Sequence, residues 1–210
     1  MTGPERFITL EGGEGTGKST LIAGLQRVLS ERGAEIVVTR EPGGTVLAEA
    51  VRALALNPPD DESWSPLAHA LLMNTAREDH LKNLIRPALA RGAWVICDRF
   101  ADSTRAYQSI DGVALEQLLA IEAIVVGETR PDLTLILDAA PDALAERRRQ
   151  RNVSDVFEQK DLSFHEQVRV AFLDIADNEP DRCVVLDALQ SPEDVLNAAL
   201  SAIDQHLVAA

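Results

Sequence analysis

Basic residues are scarce in this sequence. Twenty Lys and Arg stand against 34 Asp and Glu, a net charge of −14 over 210 residues. A protein that holds a nucleic-acid polymer by counterion release needs a broad basic surface, so DNA and RNA are poor candidates for its main partner. A small phosphorylated ligand, met by a few converging cations, is compatible with this charge. Cysteine is nearly absent: Cys97 and Cys183 are the only two. That argues against a disulfide framework or a cysteine metal site, and for buried free thiols in a reducing, cytoplasmic setting. Apolar runs are all short of the roughly 18 residues that a membrane span needs, and the first seven positions carry no apolar signal core. Twelve Gly and 10 Pro are too few for a collagen-like or low-complexity chain, and 46% apolar content is too much for a disordered one. What remains is a globular protein, expected as one domain over residues 1–210.

The apolar residues fall into two alternating patterns. Runs at 7–10, 36–39, 94–97, 133–137 and 183–186 are apolar or β-branched throughout, as expected of strands covered on both faces. Between them the spacing turns helical. Leu21, Leu25, Val28 and Leu29 form a stripe. Residues 67–91 read as one long helix interrupted at Pro87, and 113–126, 141–151, 163–177 and 192–208 as further helices. Pro141, Ser163 and Ser191-Pro192 supply start signals. Strands alternating with helices predict right-handed crossovers and a mainly parallel α/β sheet. Polar stretches at 57–65 and 152–162 read as covers over a site rather than as domain boundaries.

Gly12-Gly13-Glu14-Gly15-Thr16-Gly17-Lys18-Ser19 matches the phosphate-binding pattern G-x-x-x-x-G-K-[ST], between a predicted strand and a predicted helix. Glycines let main-chain N–H groups close around a phosphate, and the helix N-terminus adds partial positive charge. Lys18 can then reach the β- and γ-phosphates of a nucleoside triphosphate, and the Ser19 hydroxyl can ligate Mg²⁺. Arg40 closes the second strand, and Asp98 and Arg99 close the third. Ligands of open α/β sheets sit at the carboxyl ends of strands, so these side chains are expected to point toward the phosphate loop. A water would suffice for hydrolysis; two arginines there suit a second, anionic substrate.

With these motifs in place, the sequence resembles the bacterial thymidylate kinases, within the nucleoside-monophosphate kinases, from Phe7 to about residue 207. The carriers are the string Glu11 to Thr20, the T-R-E-P-G-G-T string Thr39 to Thr45, Pro87-Ala88-Leu89-Ala90, Val95 to Arg99, Ser103-Thr104, Ala106-Tyr107-Gln108 and Arg130 to Thr134. The resemblance implies a five-stranded parallel sheet flanked by helices, with a lid at about 147–162. It implies the reaction ATP + dTMP → ADP + dTDP with Mg²⁺ as cofactor, and a homodimer. Glu14 would accept from the 3′-hydroxyl of dTMP, Tyr107 would crowd C2′, and Arg77 would hydrogen-bond the thymine. Thr104 and Gln108 would lie near the base edge or sugar. Asp98 would hold the metal's water shell or orient Arg99. The 187–192 loop would sit beside the adenine. The phosphate loop has Gly15 where eukaryotic members carry an arginine, so a transition-state cation is expected from the lid: Arg149, with Arg147 and Arg151 in support.

Three positions depart from the family pattern. Met73 stands where a Phe stacks on thymine, Val156 where the lid has an arginine, and Phe100 where a Tyr or His follows Asp-Arg. Two other readings fit the motifs. One is a kinase for another deoxynucleotide such as dUMP; the other is a nucleotide-binding regulator without turnover, against which Lys18, Ser19, Asp98 and Arg99 speak.

Overall fold

The computed structural model describes residues 6–144 and 161–208. Five strands form one sheet: β1 Phe7–Glu11, β2 Ile36–Arg40, β3 Trp94–Asp98, β4 Leu133–Asp138 and β5 Cys183–Asp187. Their order is β2-β3-β1-β4-β5 and every pairing is parallel, as the alternating pattern predicts. β1, β3 and β4 are covered on both faces. β2 and β5 are the edges, and Val38 and Val185 there stay exposed at 39% and 43%. The expectation of full burial fails at these two strands because an apolar run looks the same in the middle of a sheet and at its rim.

The predicted helices appear as α1 Lys18–Glu31, α3 Pro66–His80, α4 Arg86–Ala90, α6 Leu115–Val125, α7 Leu162–Asn178 and α8 Pro192–Ile203. The long 67–91 helix runs without a break over 66–90, its irregularity lying one turn before Pro87. Residues 81–85 widen into a π turn, which accommodates the N–H that Pro87 lacks. Ser191 accepts from the Asp194 N–H at 3.2 Å and starts α8 as predicted, and a wider turn replaces its last residues, 204–208. Asp161, not Ser163, caps α7, accepting from the Phe164 N–H at 2.9 Å. The predicted 141–151 helix begins at 141–144, and its remainder lies outside the described residues.

Two helices escape the sequence pattern, α2 Val46–Leu56 and α5 Ala101–Ile110. α2 starts two residues after Gly44, capped by Thr45, and its first turn exposes Val46 and Leu47, so no single apolar face announces it. The buried side of α5 is polar. Arg182 grips Asp102 with two 2.8 Å bonds, and Arg105 holds Glu122 of α6 at 2.6 and 2.7 Å. Paired, hydrogen-bonded charges of this kind can be buried without apolar periodicity. They fix α5 against the sheet, and α5 carries much of the site.

The core lies on both faces of the sheet. Ile8, Leu10, Leu25, Ile96, Leu135 and Ala199 join α1 and α8 to one face. Phe7, Leu81, Ile85, Val95 and Phe100 fill the other, where the Phe7 and Phe100 rings meet edge to face at 5.0 Å. Both cysteines are free and buried, and burial pushes the Cys183 thiol up to about 12 and Cys97 upward as well, as expected of inert thiols. Among the described residues no helix is long and apolar enough to cross a membrane.

Candidate active site

The phosphate loop leaves the carboxyl end of β1, the central strand, and runs into α1. Gly12 has φ 126° and Gly17 φ 98°, left-handed values that favour glycine. A Cβ on Gly12 would collide with the Leu137 carbonyl oxygen of β4. Lys18 folds over the loop, its Nζ donating to the Gly12 and Gly13 carbonyls at 3.0 Å each. Burial and the nearby Arg99 charge bring the Lys18 ammonium down to about 8, although Glu14, Asp98 and Glu11 favour its charged form.

Two sizeable cavities flank this loop. One, of about 260 Å³, runs from Glu14, Lys18 and Ser19 past Asp98 and Arg99 to Met73, Arg77, Thr104, Tyr107 and Gln108, with Arg40, Glu41 and Arg52 on its other wall. Every residue assigned by resemblance to a second substrate therefore lines one space. The other cavity lies on the far side of the loop, between Thr16, Gly17 and Thr20 and the Ala188, Gln190 and Pro192 stretch. That is where the 187–192 loop was expected to meet a base.

Arg99 stands at the centre. Its backbone is left-handed at φ 68°. Its Nη2 donates to the Glu14 carboxylate and, at 3.1 Å, to the Tyr107 hydroxyl, while Nη1 donates to Ser103 Oγ at 3.0 Å. The guanidinium also lies 5.1 Å over the Tyr107 ring. Burial opposes its charge, but Tyr107, Glu14, Glu11 and Asp98 outweigh that and raise it further above the usual arginine range. Burial would likewise raise Glu14. The Arg99 and Lys18 charges, with the Arg99 hydrogen bond, instead hold it down to about 2. The acid inside the anion-binding loop is thus ionised and paired.

Arg77 is 3% exposed. Its Nε donates to Glu41 Oε2 at 2.7 Å, Nη1 to Asn74 Oδ1 at 2.9 Å, and Nη2 to the Phe100 carbonyl at 3.0 Å and Thr104 Oγ1 at 2.9 Å. A guanidinium has five N–H donors, so one on Nη1 is left for the cavity. Glu41 also accepts from His80 Nδ1 at 3.0 Å, and His80 Nε2 meets Thr39 Oγ1 at 2.7 Å. The backbone at Gly44 passes so close that a Cβ there would lie 2.5 Å from both His80 Nε2 and Thr39 Oγ1.

Arg40 corrects the expectation of two guanidinium groups facing Lys18. It lines the cavity, but its Nη2 is held by both oxygens of Glu49 at 3.2 Å, and its side chain is 57% exposed. The reason is its place on the edge strand, beside the unanticipated α2. Arg52 of α2, bonded through Nη1 to the Pro42 carbonyl at 2.8 Å, shares that wall and was not anticipated either. Nor were Glu11, Glu41, His80 and Ser103. Glu11 and Glu41 lie at or just beyond the carboxyl ends of β1 and β2, where the rule that selected Arg99 applies equally. Arg147, Arg149 and Arg151, with the lid through residue 160, lie outside the described residues.

The donor set at Asp98 and Ser19 suits a hard divalent cation. Asp98 Oδ1 is buried and has no hydrogen-bond partner among the described residues, and Ser19 lines the same cavity. A buried carboxylate oxygen left unpaired is costly unless a cation or its water uses it.

A parallel α/β sheet with a phosphate loop on its central strand, and an arginine-lined pocket abutting that loop, defines a P-loop phosphotransferase with two substrates. Residues 10–199 match the family model for thymidylate kinase. The chain is 52% identical to the thymidylate kinase of Caulobacter vibrioides over 93% of both chains. It is 45% identical to that of Bradyrhizobium sp. strain BTAi1 over 99% of this chain and 93% of the relative. The crystal structure of thymidylate kinase from Ehrlichia chaffeensis superposes with a TM-score of 0.76 at 32% identity, covering 94% of this chain and 98% of that one. The chain belongs to the thymidylate kinase family.

Proposed function

We propose that this chain transfers the γ-phosphoryl group of ATP to the phosphate of dTMP, giving dTDP and ADP, with Mg²⁺ on the donor. The observation that carries the reading is the pair of cavities meeting at one phosphate loop, with Arg99 on the wall of the one that also holds Lys18 and Asp98. Phosphoryl transfer asks mainly for positioning and charge stabilisation. Gly12 to Thr20 supply main-chain N–H groups and the α1 N-terminus to the ATP phosphates, and Lys18 exchanges its loop carbonyls for phosphate oxygens. Ser19 and Asp98 would hold the metal, which when bound would neutralise charge on the donor phosphates. Arg99 binds the acceptor phosphate with Arg52 on the opposite wall, and Arg40 contributes once released from Glu49.

Glu14 and Tyr107, joined through Arg99, flank the sugar. Arg77 offers its remaining N–H to a carbonyl acceptor on the base, between Met73 and Gln108, with Thr104 donating beside it. Arg149 remains our choice for the lid's transition-state cation. A homodimer is supported by apolar residues on neighbouring helices: α3 packs against both α2 and α6, and Val46, Leu47, Leu71 and Ile124 are exposed on them. The net charge and the sparse cysteines favour a cytoplasmic enzyme without a nucleic-acid partner. The test is a coupled ADP-release assay with dTMP, dUMP, dCMP and dGMP. We expect dTMP to give the highest kcat/KM, and a preference above about tenfold for another acceptor overturns the assignment.

A further inference from the structure

Glu11, the last residue of β1, is 0% exposed and takes no part in the mechanism above. Its Oε1 accepts from the Phe100 N–H at 2.7 Å and the Ser103 N–H at 3.2 Å, and its Oε2 from Ser103 Oγ at 2.6 Å. Ser103 Oγ in turn accepts from Arg99 Nη1 at 3.0 Å. A guanidinium can only donate, so Ser103 Oγ accepts from Arg99 while its single hydroxyl hydrogen points at Glu11. The contacts also bracket an unusual backbone. Arg99 is one of two non-glycine residues with positive φ among those described. Its N–H goes to the Leu10 carbonyl at 2.9 Å, its carbonyl accepts from Cys97 Sγ at 3.0 Å, and the next N–H goes to Glu11. Backbone in this region persists only where its surroundings over-determine it.

The charged groups around Glu11 make its retention costly. Asp102 of α5 repels it, Arg99 attracts it, and Lys18 of α1 feels its charge. A helix start needs no buried carboxylate from another strand; a neutral acceptor caps as well.

We propose that Glu11 is a positioning residue for the acceptor phosphate: through Ser103 and the Phe100 amide it fixes the left-handed backbone and the guanidinium plane of Arg99. This role rests on the proposed dTMP reaction. It connects the strand that launches the phosphate loop to the residue that faces the second substrate.

The experiment compares wild type, Glu11→Gln and Ser103→Ala by calorimetric titration with dTMP, with thymidine, which lacks the phosphate, and with an ATP analogue that cannot be cleaved. Each variant is expected to weaken dTMP about tenfold, the loss of one charge-assisted hydrogen bond, with thymidine and the ATP analogue changed less than about twofold. The double variant is expected to be no weaker than the worse single one, because both act along one chain of contacts. Equal weakening of thymidine and dTMP overturns the role and reduces Glu11 to a structural cap. Unchanged dTMP affinity in both variants, or additive losses, overturns it too. Wild-type turnover of dTMP is measured alongside, so a failure of the reaction assignment is seen separately from a failure of this one.

Discussion

Replacing Glu11 by Gln tests how much stability the fold gives up to keep a carboxylate under the phosphate loop. Burial, with the Asp102 charge adding to it, raises Glu11 from 4.5 to about 7, against the lowering by Arg99, Ser103 and the Phe100 amide. The folded protein therefore holds a proton that the unfolded chain releases anywhere between those values. The stability linked to that proton is fully present below pH 4.5 and is lost as pH rises through about 7. At about 1.4 kcal/mol per pH unit, the interval sets a ceiling of about 3 kcal/mol. Glu14, held down to about 2, acts only in acid below 4.5. His69, lowered chiefly by burial, acts in the opposite sense near neutrality, so the informative quantity is wild type minus variant. Urea unfolding followed by tryptophan fluorescence at pH 5, 6, 7 and 8 should show wild type losing about 1 to 3 kcal/mol relative to Glu11→Gln across the range. Parallel curves, or wild type gaining on the variant as pH rises, would refute the assignment of a destabilised, functionally retained carboxylate.

Gly44→Ala should destabilise the fold by about 2 kcal/mol or more, read as a lower Tm, because the new Cβ meets His80 and Thr39 at a residue with φ 88°; an unchanged Tm contradicts the close approach. Met73→Phe should strengthen dTMP binding several-fold, about 1 kcal/mol of ring stacking, measured by calorimetry; weaker binding would show that the cavity is shaped for the thioether. Asp98→Asn should raise the Mg²⁺ concentration for half-maximal activity at least about tenfold, as charge loss at a metal site does, without lowering the metal-free Tm, since Oδ1 has no protein partner among the described residues. A metal dependence like that of wild type would remove Asp98 from the site.

Much of this was legible because chemistry and backbone coincide. The phosphate loop is a contiguous string, and strand alternation gave the parallel sheet without knowledge of any contact. The losses have definite causes. α5 hides its packing in buried ion pairs, Asp102 with Arg182 and Arg105 with Glu122, so a search for apolar periodicity passes over it. Arg40 shows the limit of the strand-end rule: it selects the correct end of the sheet but not the partner waiting there, and Glu49 on the missed α2 takes the guanidinium. Glu11 and Glu41 were overlooked although the same rule covers them, because acids beside an anion site look misplaced. Only the bonds to Phe100, Ser103, Arg77 and His80 explain them.

The proposed reaction requires that the phosphoryl group leaving ATP be received by a monophosphate held in the Arg99 cavity, not by water. Incubating the enzyme with γ-labelled ATP and dTMP and separating the products measures this directly. The label is predicted in the β-phosphate of dTDP, and to disappear from that product in Arg99→Ala. Label released as inorganic phosphate at the same rate with and without dTMP would contradict it.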